Sequence, residues 1–316
     1  MNAPSDWQPT FACPACRTAV PRVGRSHEEK FCCSRCRRFY GVRDGIYRFL
    51  DAEALRQLEP FLQQYAVVRR QDRHRGRPRS FYRDLPNVGR DDPDAVLWAV
   101  RQSSYAHLTQ RVLPRLGDRK LRILDVGAGN GWLSSRLAEK GHRLVAVDCS
   151  DADDDGLGAY KMHDADYVSV QAHFDHLPFA PAQFDAVLFN GSLHYAADPE
   201  VTLRRALRLI NPGGLMAVLD SPMFTFTGAG EQMRVAMTER FARDYGLEHI
   251  VWPGTGYLTF RGLSEVANAV GWRSAFIPSS GGVMWALGRW WAGVKLRRQP
   301  ARFGVWVLRD YADNAV

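Results

Sequence analysis

Long apolar segments are missing from this chain of 316 residues. No uninterrupted apolar run reaches the roughly 20 residues that a membrane-spanning helix needs, so we expect no transmembrane segment. The first dozen residues are polar and lack the apolar core of a signal peptide. These two absences together predict a cytoplasmic protein.

Acidic residues are fewer than basic residues, with 34 Asp and Glu against 42 Lys and Arg, for a formal net charge of +8. This excess modestly favours anionic partners such as nucleic acid or a membrane surface. The hydrophobic content of 46% and the charged content of 24% are ordinary for a globular protein. The length allows one complete α/β domain plus a smaller unit.

Cysteine is scarce beyond residue 36, where Cys149 alone remains of the six. The other five include two C-x-x-C pairs, Cys13 with Cys16 and Cys33 with Cys36, at a separation typical of zinc sites. Four thiolates can hold one tetrahedral zinc ion at about 2.3 Å, and such a site is closed and structural. The alternative interpretation is a reduced thiol cluster without metal.

Cys32 is left over from this arrangement. It can replace Cys33 as a ligand through a C-x-x-x-C spacing, so the spacing leaves the choice between these two residues open.

The segment 121–150 has the pattern of a buried strand, a glycine loop, a helix and a second strand. Asp125 ends the first strand and Asp148 ends the second. An acidic side chain at the second position can accept hydrogen bonds from a ribose diol. The loop between them carries three glycines spaced G-x-G-x-G, which let the backbone approach a ligand closely.

Two ligand classes fit a loop of this kind. In the dinucleotide fingerprint G-x-G-x-x-G, a third glycine packs the helix on the strand. Here Gly131 comes one residue early and Trp132 occupies the fingerprint position, which argues against a pyrophosphate cradle. The second class is a ligand with a cationic amino-acid group, which Asp125 before the loop suits better than it suits an anion.

The downstream order adds further matches, written "LPF…FDAV…N…L.LI.PGGL". With the loop, this series resembles the class I S-adenosylmethionine (SAM) methyltransferase family, in its type 11-like form, over roughly residues 121–220. The resemblance implies an α/β fold of Rossmann-like class, with a mostly parallel seven-stranded sheet flanked by helices on both faces. It also implies SAM as the cofactor.

The resemblance further implies a set of cofactor-binding residues. Those near the methionine end of SAM follow the first strand, Asp148 holds the ribose, and the adenine lies beside Cys149. Where the family often has Asp before the "LPF" run, this chain has His173-Phe174, so Phe174 and Asp175 become the candidates. The complete implied set is Asp125, Gly127, Ala128, Gly129, Asp148, Cys149, Phe174, Asp175 and Asn190.

The run "NGSLHY" at residues 190–195 follows the fourth strand, where the family brings donor and acceptor together. The resemblance places Asn190 beside the methyl group, and we list it with His194 as the candidate catalytic residues. His194 is either a general base, since its ordinary pKa lies near working pH, or a wall of the pocket that moves no proton. A base is needed only for a hydroxyl or similarly weak acceptor.

The N-terminal cysteines have a second resemblance. The run Tyr40–Ile46, written "Y-x-V-x-D-G-I", is similar to the closing hairpin of small zinc ribbons that precede some bacterial methyltransferases. The resemblance covers roughly residues 10–50. It leaves open whether the ribbon contacts substrate, docks a partner or only folds.

The domain prediction follows from these matches. We expect a zinc ribbon at 10–50, a helical and arginine-rich linker at 51–92, and the methyltransferase domain at 93–316. An insertion at about 279–302 separates the last two predicted strands, 271–278 and 303–309. An apolar helical face of the insertion has basic neighbours and consists of Val283, Leu287, Trp290, Trp291 and Val294. Such a face suits a lid, a membrane interface at 283–298 or nucleic-acid contact.

The favoured function is methyl transfer from SAM to a small-molecule acceptor, of which apolar or lipid-like molecules are one class. The chain lacks the N/D-P-P-Y/F run of many amino-group RNA and DNA methylases. One alternative is an RNA base methyltransferase that grips RNA with the ribbon and the basic linker. The other is a non-catalytic SAM-binding module that docks a partner.

Overall fold

The computed structural model describes residues 7–21, 28–72, 76–282, 285, 287–288 and 299–310. Short strands and helices alternate along most of this length, in the pattern expected for an α/β fold. The strands are β1 (Glu28–Cys32), β2 (Phe39–Arg43), β3 (Ile46–Arg48), β4 (Arg122–Val126), β5 (Arg143–Asp148), β6 (Val168–Gln171), β7 (Phe184–Asn190), β8 (Ile210–Leu219), β9 (Met223–Phe224), β10 (Leu258–Thr259), β11 (Arg273–Pro278) and β12 (Gly304–Arg309). The α-helices are α1 (Ala52–Gln71), α2 (Arg79–Asp84), α3 (Ala95–His107), α4 (Trp132–Glu139), α5 (Pro199–Leu207), α6 (Thr227–Tyr245) and α7 (Phe260–Val270).

One mixed sheet of ten strands organises the described part of the chain, in the order β1-β2-β3-β6-β5-β4-β7-β8-β12-β11. The run from β3 to β8 is parallel, and the pairs at both ends are antiparallel. The central strands β4, β5 and β7 are apolar and buried along most of their length, as parallel strands covered on both faces require. Apolar clusters cover the two faces of the sheet, so the predicted Rossmann-like class is confirmed.

The cysteine-rich segment is joined to this sheet. Strand β3 pairs in parallel with β6, with Ile46 opposite Ser169 and Tyr47 opposite Val170. The predicted closing hairpin is present as β2–β3, and its turn residues Asp44 and Gly45 have φ of 53° and 73°. An aspartate–glycine pair is the usual choice for such a left-handed hairpin turn.

A second contact holds the first described residues against the sheet. The Arg17 guanidinium donates to the carbonyls of Leu177 and Phe179 at 2.8 and 3.0 Å. Phe11 is buried among aromatic rings, with its centroid 4.8 Å from that of Tyr47 and 5.8 Å from that of Phe179. The ribbon and the larger sheet therefore share one apolar core.

Strand β8 begins at Ile210 and contains a bulge near its start. Phe184 pairs with Ile210 while Ala186 pairs with Leu215, so a bulge takes up the Asn211–Gly214 run. The proline and the two glycines of this run thus lie inside the strand.

The last two predicted strands are confirmed as β11 and β12, which pair antiparallel with Phe276 opposite Trp306. Most of the predicted insertion face lies outside the described residues, and so does most of the proposed membrane-contact segment 283–298. Leu287 is described and is 51% exposed. None of the helices in the described part of the chain is long and apolar enough to cross a membrane.

The shared core predicts a large effect of one substitution in the ribbon. Phe11→Ala should lower the free energy of unfolding by about 3–5 kcal/mol, because it leaves a cavity among Tyr47, Phe49 and Phe179. Urea denaturation of the full chain measures this change. Phe39→Ala is the matched control, since Phe39 is 70% exposed and its loss should cost less than about 0.5 kcal/mol. Equal effects of the two substitutions would contradict the shared core.

Candidate functional site

A cleft opens at the carboxyl ends of the parallel strands, where ligands bind in open α/β sheets. It lies between the loops after β4, β5 and β7 and helix α1. Five of the residues implied as cofactor-binding line it: Gly127, Gly129, Asp148, Cys149 and Phe174. The other lining residues are Phe61, Leu62, Tyr65, Val147, Ser150, Asp155, Ala172, Gly191, Ser192 and Tyr195.

The three loop glycines have different roles. Gly127 has φ of 73°, and a Cβ there would lie 2.3 Å from the Cβ of Ser192. Gly131 has φ of 74°, and its Cβ would lie 2.1 Å from the hydroxyl of Tyr167. Gly129 also has a positive φ, of 54°, but no atom lies within 4 Å of its would-be Cβ. The outer glycines therefore permit packing, and the middle one leaves open space in the cleft.

Asp148 fixes the position of this loop. Its Oδ2 accepts the Gly129 N–H at 2.8 Å, and its Oδ1 accepts the Ser150 N–H at 2.8 Å. Burial raises the pKa of the carboxyl group, and these two amides act in the opposite direction. A carboxylate oxygen can accept more than one hydrogen bond, so both oxygens retain capacity for a diol in the cleft.

Asp125 lies behind the loop and is fully buried. Its Oδ2 accepts the hydroxyl of Ser134 at 2.8 Å, whereas its Oδ1 is buried and has no hydrogen-bond partner in the described structure. Burial raises the pKa of Asp125 to about 7. An unsatisfied buried carboxylate oxygen is costly, and its position beside the glycine loop suits a cationic or N–H donor of a ligand.

Helix α1 forms one wall of the cleft, a role that the sequence did not indicate. The rings of Phe61 and Tyr65 lie 5.9 and 6.1 Å from that of Tyr195, centroid to centroid. The spacing of the two α1 aromatics, one helical turn apart, was the available signal. It predicts a common face for them but gives no information about what that face covers.

An ion pair fastens α1 to the loop after β5. The Arg69 guanidinium donates to both oxygens of Asp155 at 2.6 and 2.7 Å, and Asp155 is 5% exposed. The two residues are far apart in the sequence, at positions 69 and 155. Their side chains meet because the helix crosses the carboxyl ends of the strands.

The predicted adenine-end residues separate in the structure. Cys149 and Phe174 line the cleft, and burial raises the pKa of the Cys149 thiol well above its ordinary value, so the thiol stays protonated. Asp175 does not line the cleft. Its carboxylate accepts the hydroxyl of Thr202 on α5, and its backbone carbonyl accepts a bond from Arg205.

The two candidate catalytic residues lie at and just beyond the end of β7. Asn190 is half-buried and precedes Gly191 and Ser192 in the cleft lining. His194 is buried, and its Nδ1 lies 3.1 Å from the hydroxyl of Ser221, while the neighbouring Tyr195 faces the cleft. Burial lowers the pKa of His194 to about 3, so its imidazole is neutral near pH 7.

A second candidate site gathers four cysteine sulfurs in the ribbon. The Sγ atoms of Cys13, Cys16, Cys33 and Cys36 all lie within 4.8 Å of one another. This spacing fits a single tetrahedral ion with four thiolate ligands. The Cys32 sulfur is not part of the group and lies 3.5 Å from the Cys33 carbonyl oxygen.

Comparison with known proteins matches the centre of the chain. Residues 124–218 match the family model described as a methyltransferase domain, so the expected domain is confirmed over these residues. A tRNA 5-carboxymethoxyuridine methyltransferase of Escherichia coli K12 is 30% identical over 126 residues, which are 38% of this chain and 48% of that protein. A demethylmenaquinone methyltransferase of Clavibacter sepedonicus is 34% identical over 137 residues, 43% of this chain and 50% of that one.

The chain thus spans about half the length of these curated relatives. Among solved structures, magnesium protoporphyrin IX methyltransferase from Synechocystis PCC 6803 with bound SAH aligns with a TM-score of 0.48. The alignment covers 82% of this chain and all of that one, at 12% identity.

The environment of His194 generates a prediction about its charge. Because burial holds the pKa near 3, the imidazole should remain neutral between about pH 5 and 8. Nuclear magnetic resonance titration of the ring protons measures this, and the spectrum of a His194→Gln variant assigns the resonance. A chemical-shift midpoint near the ordinary histidine pKa of about 6.5 would contradict the buried, neutral state.

Proposed function

We propose that this chain transfers a methyl group from SAM to a small-molecule acceptor and releases S-adenosylhomocysteine. The observation that carries the proposal is the match of residues 124–218 to a methyltransferase domain, with its glycine loop and Asp148 at the cleft. The residues on this cleft also fit the parts of SAM one by one.

Three features support SAM as the ligand. Asp148 is placed to accept hydrogen bonds from the ribose hydroxyls of SAM. The open space at Gly129 admits the methionine part of SAM, which is joined to the ribose. The unsatisfied Oδ1 of Asp125 fits the ammonium group of a methionine moiety. Phe174 supplies an aromatic surface for the adenine, in a cleft otherwise short of charge at that end.

When bound, SAM supplies an electrophilic methyl group on a sulfonium. Methyl transfer from it is an in-line displacement, so holding donor and acceptor in line supplies much of the acceleration. Phe61, Tyr65 and Tyr195 line the cleft with aromatic rings. The neutral state of His194 and its place next to Tyr195 support the role in which it moves no proton. In that role it positions the loop through its contact with Ser221.

The walls of this cleft favour a small acceptor over a macromolecule. Helix α1 covers one side with aromatic and aliphatic side chains, as is common in small-molecule sites. One relative is named a demethylmenaquinone methyltransferase.

RNA is the second candidate acceptor, because another relative is named for a tRNA nucleoside. A separate groove between the ribbon and α5 also carries three arginines, Arg17, Arg205 and Arg208. Guanidinium groups at this density suit a phosphate backbone. A non-catalytic module has no comparable observation in its favour.

We further propose that the ribbon holds a structural zinc ion. The four sulfurs of Cys13, Cys16, Cys33 and Cys36 complete a tetrahedral set, which leaves no open position for chemistry. Cys33 is the ligand in this arrangement and Cys32 is not, because only the Cys33 sulfur belongs to the group.

Asp148→Ala should weaken SAM binding by at least about tenfold, since hydrogen bonds to a charged group are lost from a shielded site. Isothermal titration calorimetry with SAM measures the change. Asp153→Ala is the control, because Asp153 follows the same strand but its side chain is 81% exposed. Near-normal SAM affinity in a folded Asp148→Ala protein would contradict the ribose assignment.

Cys16→Ser should release the zinc ion, whereas Cys32→Ser should retain it. The reason is that only Cys16 belongs to the four-sulfur group. Metal content after desalting, measured by atomic absorption, gives the answer for the full-length variants. Stoichiometric zinc in Cys16→Ser, or its loss in Cys32→Ser, would refute the proposed ligand set.

The function itself is tested with methyl-labelled SAM and an extract of the source organism. After incubation, the extract is separated into organic, small aqueous, RNA and protein fractions. We expect label in a small-molecule fraction, at a rate nearly independent of salt. Label in RNA, with a rate that falls steeply as salt rises through counterion release, would favour the RNA acceptor. Absence of label from every fraction would contradict methyl transfer.

A further inference from the structure

Two charged groups of opposite sign face each other beside the cleft without pairing. Arg101 on α3 is half-buried, with its guanidinium carbon 4.5 Å from the centroid of the Trp98 ring. Within the described ranges, no hydrogen-bond or ion-pair partner within 4 Å is found for this guanidinium. A partly buried arginine without an anion is unusual, because loss of hydration is normally offset by pairing.

Asp220 is the opposing group. It follows β8 directly and has a left-handed φ of 51°, a strained conformation for a non-glycine residue. Its Oδ1 accepts the hydroxyl of Ser104, which is also 2.8 Å from the hydroxyl of Ser279. Its Oδ2 is buried and has no partner in the described parts of the chain.

Helix α3 brings Arg101 close to Asp220, because Arg101 lies one helical turn before Ser104, whose hydroxyl bonds to Asp220. Burial and then Arg69 lower the pKa of Arg101, whereas Asp220 and Tyr65 raise it. Burial raises the pKa of Tyr195, which lines the cleft, and the charges of Arg69 and Arg101 act in the opposite direction. Asp220 adjoins Gly191, whose would-be Cβ lies 3.9 Å from the Asp220 carbonyl oxygen.

We propose that Arg101 and Asp220 form the acceptor subsite, and that the acceptor is a small carboxylic acid bearing the hydroxyl or amino group that is methylated. The proposal rests on the proposed function. The planar guanidinium matches a carboxylate in a two-point hydrogen bond. The unsatisfied Oδ2 of Asp220 accepts the O–H or N–H of the reacting group. A dianionic phosphate fits less well, because Asp220 would repel it.

The reaction step balances with these groups alone. The proton of the acceptor hydroxyl or amine passes to Oδ2 of Asp220, and the lone pair left on the acceptor atom forms the new bond to the methyl carbon. The methyl–sulfur bond breaks, its electron pair stays on sulfur, and neutral S-adenosylhomocysteine leaves. Burial raises the pKa of Asp220 to about 6, which strengthens it as a base while leaving it ionised near pH 7. The groups that face it are Ser104 and Arg101 of α3.

The test uses the small-molecule part of a cell extract, divided on an anion-exchange resin into a retained anionic pool and a flow-through. Each pool is incubated with the full-length protein and methyl-labelled SAM. We expect label in the anionic pool. Label confined to the flow-through would overturn the carboxylate, and label in neither pool would refute the proposed function on which it rests.

Variants separate the roles. Arg101→Gln should raise the apparent KM for the anionic pool by at least about tenfold, with unchanged SAM affinity. Arg101→Lys should fall between, since it keeps the charge and loses the planar fork. Asp220→Asn should lower kcat by about 100-fold or more with a smaller effect on KM. Arg111→Gln, an exposed neighbour beyond α3, is the control and should behave as the unmodified protein.

Three outcomes would overturn the assignment. The first is an Arg101→Gln protein that matches the Arg111→Gln control. The second is a loss of SAM affinity in Arg101→Gln with an unchanged acceptor KM, which would assign Arg101 to the carboxylate of SAM. The third is an Asp220→Asn protein that binds SAM normally and retains kcat. Normal SAM affinity in each variant establishes that the cleft is folded.

Discussion

The pairing of β3 with β6 is the contact on which the arrangement of the rest depends. Three residue pairs in parallel register join the cysteine-rich hairpin to the edge of the larger sheet. Since α1 begins four residues after β3, this pairing also sets where α1 starts. The helix then crosses the carboxyl ends of the strands and is fastened by Arg69 to Asp155. Without β3 in place, the cleft would lack its aromatic wall.

Residues that act through local spacing were predictable from the sequence. The glycine loop, Asp125, Asp148 and the two C-x-x-C pairs are patterns within short segments. The structure places Gly127, Gly129 and Asp148 in the lining of the cleft and groups the four cysteine sulfurs. Local backbone geometry decides these positions, because a positive φ or a two-residue knuckle leaves few alternatives.

Contacts between distant segments were not predictable. Arg69 meets Asp155, and Arg101 faces Asp220, only because two helices cross the same edge of the sheet. A charged run in a sequence is compatible with both a solvated loop and a buried pair, so composition cannot decide between them. Strand β3 has three residues, too few for a period-2 pattern to reveal its partner.

The continuity of the sheet has a thermodynamic consequence for the proposed zinc ion. Because the sulfur cluster and the ligand cleft belong to one hydrogen-bonded sheet and one apolar core, we expect them to unfold together. Metal that binds only the folded state adds its binding free energy to that of the whole unit. The population of protein able to receive a ligand in the cleft would then follow the concentration of free metal, although no metal atom comes near the reacting groups.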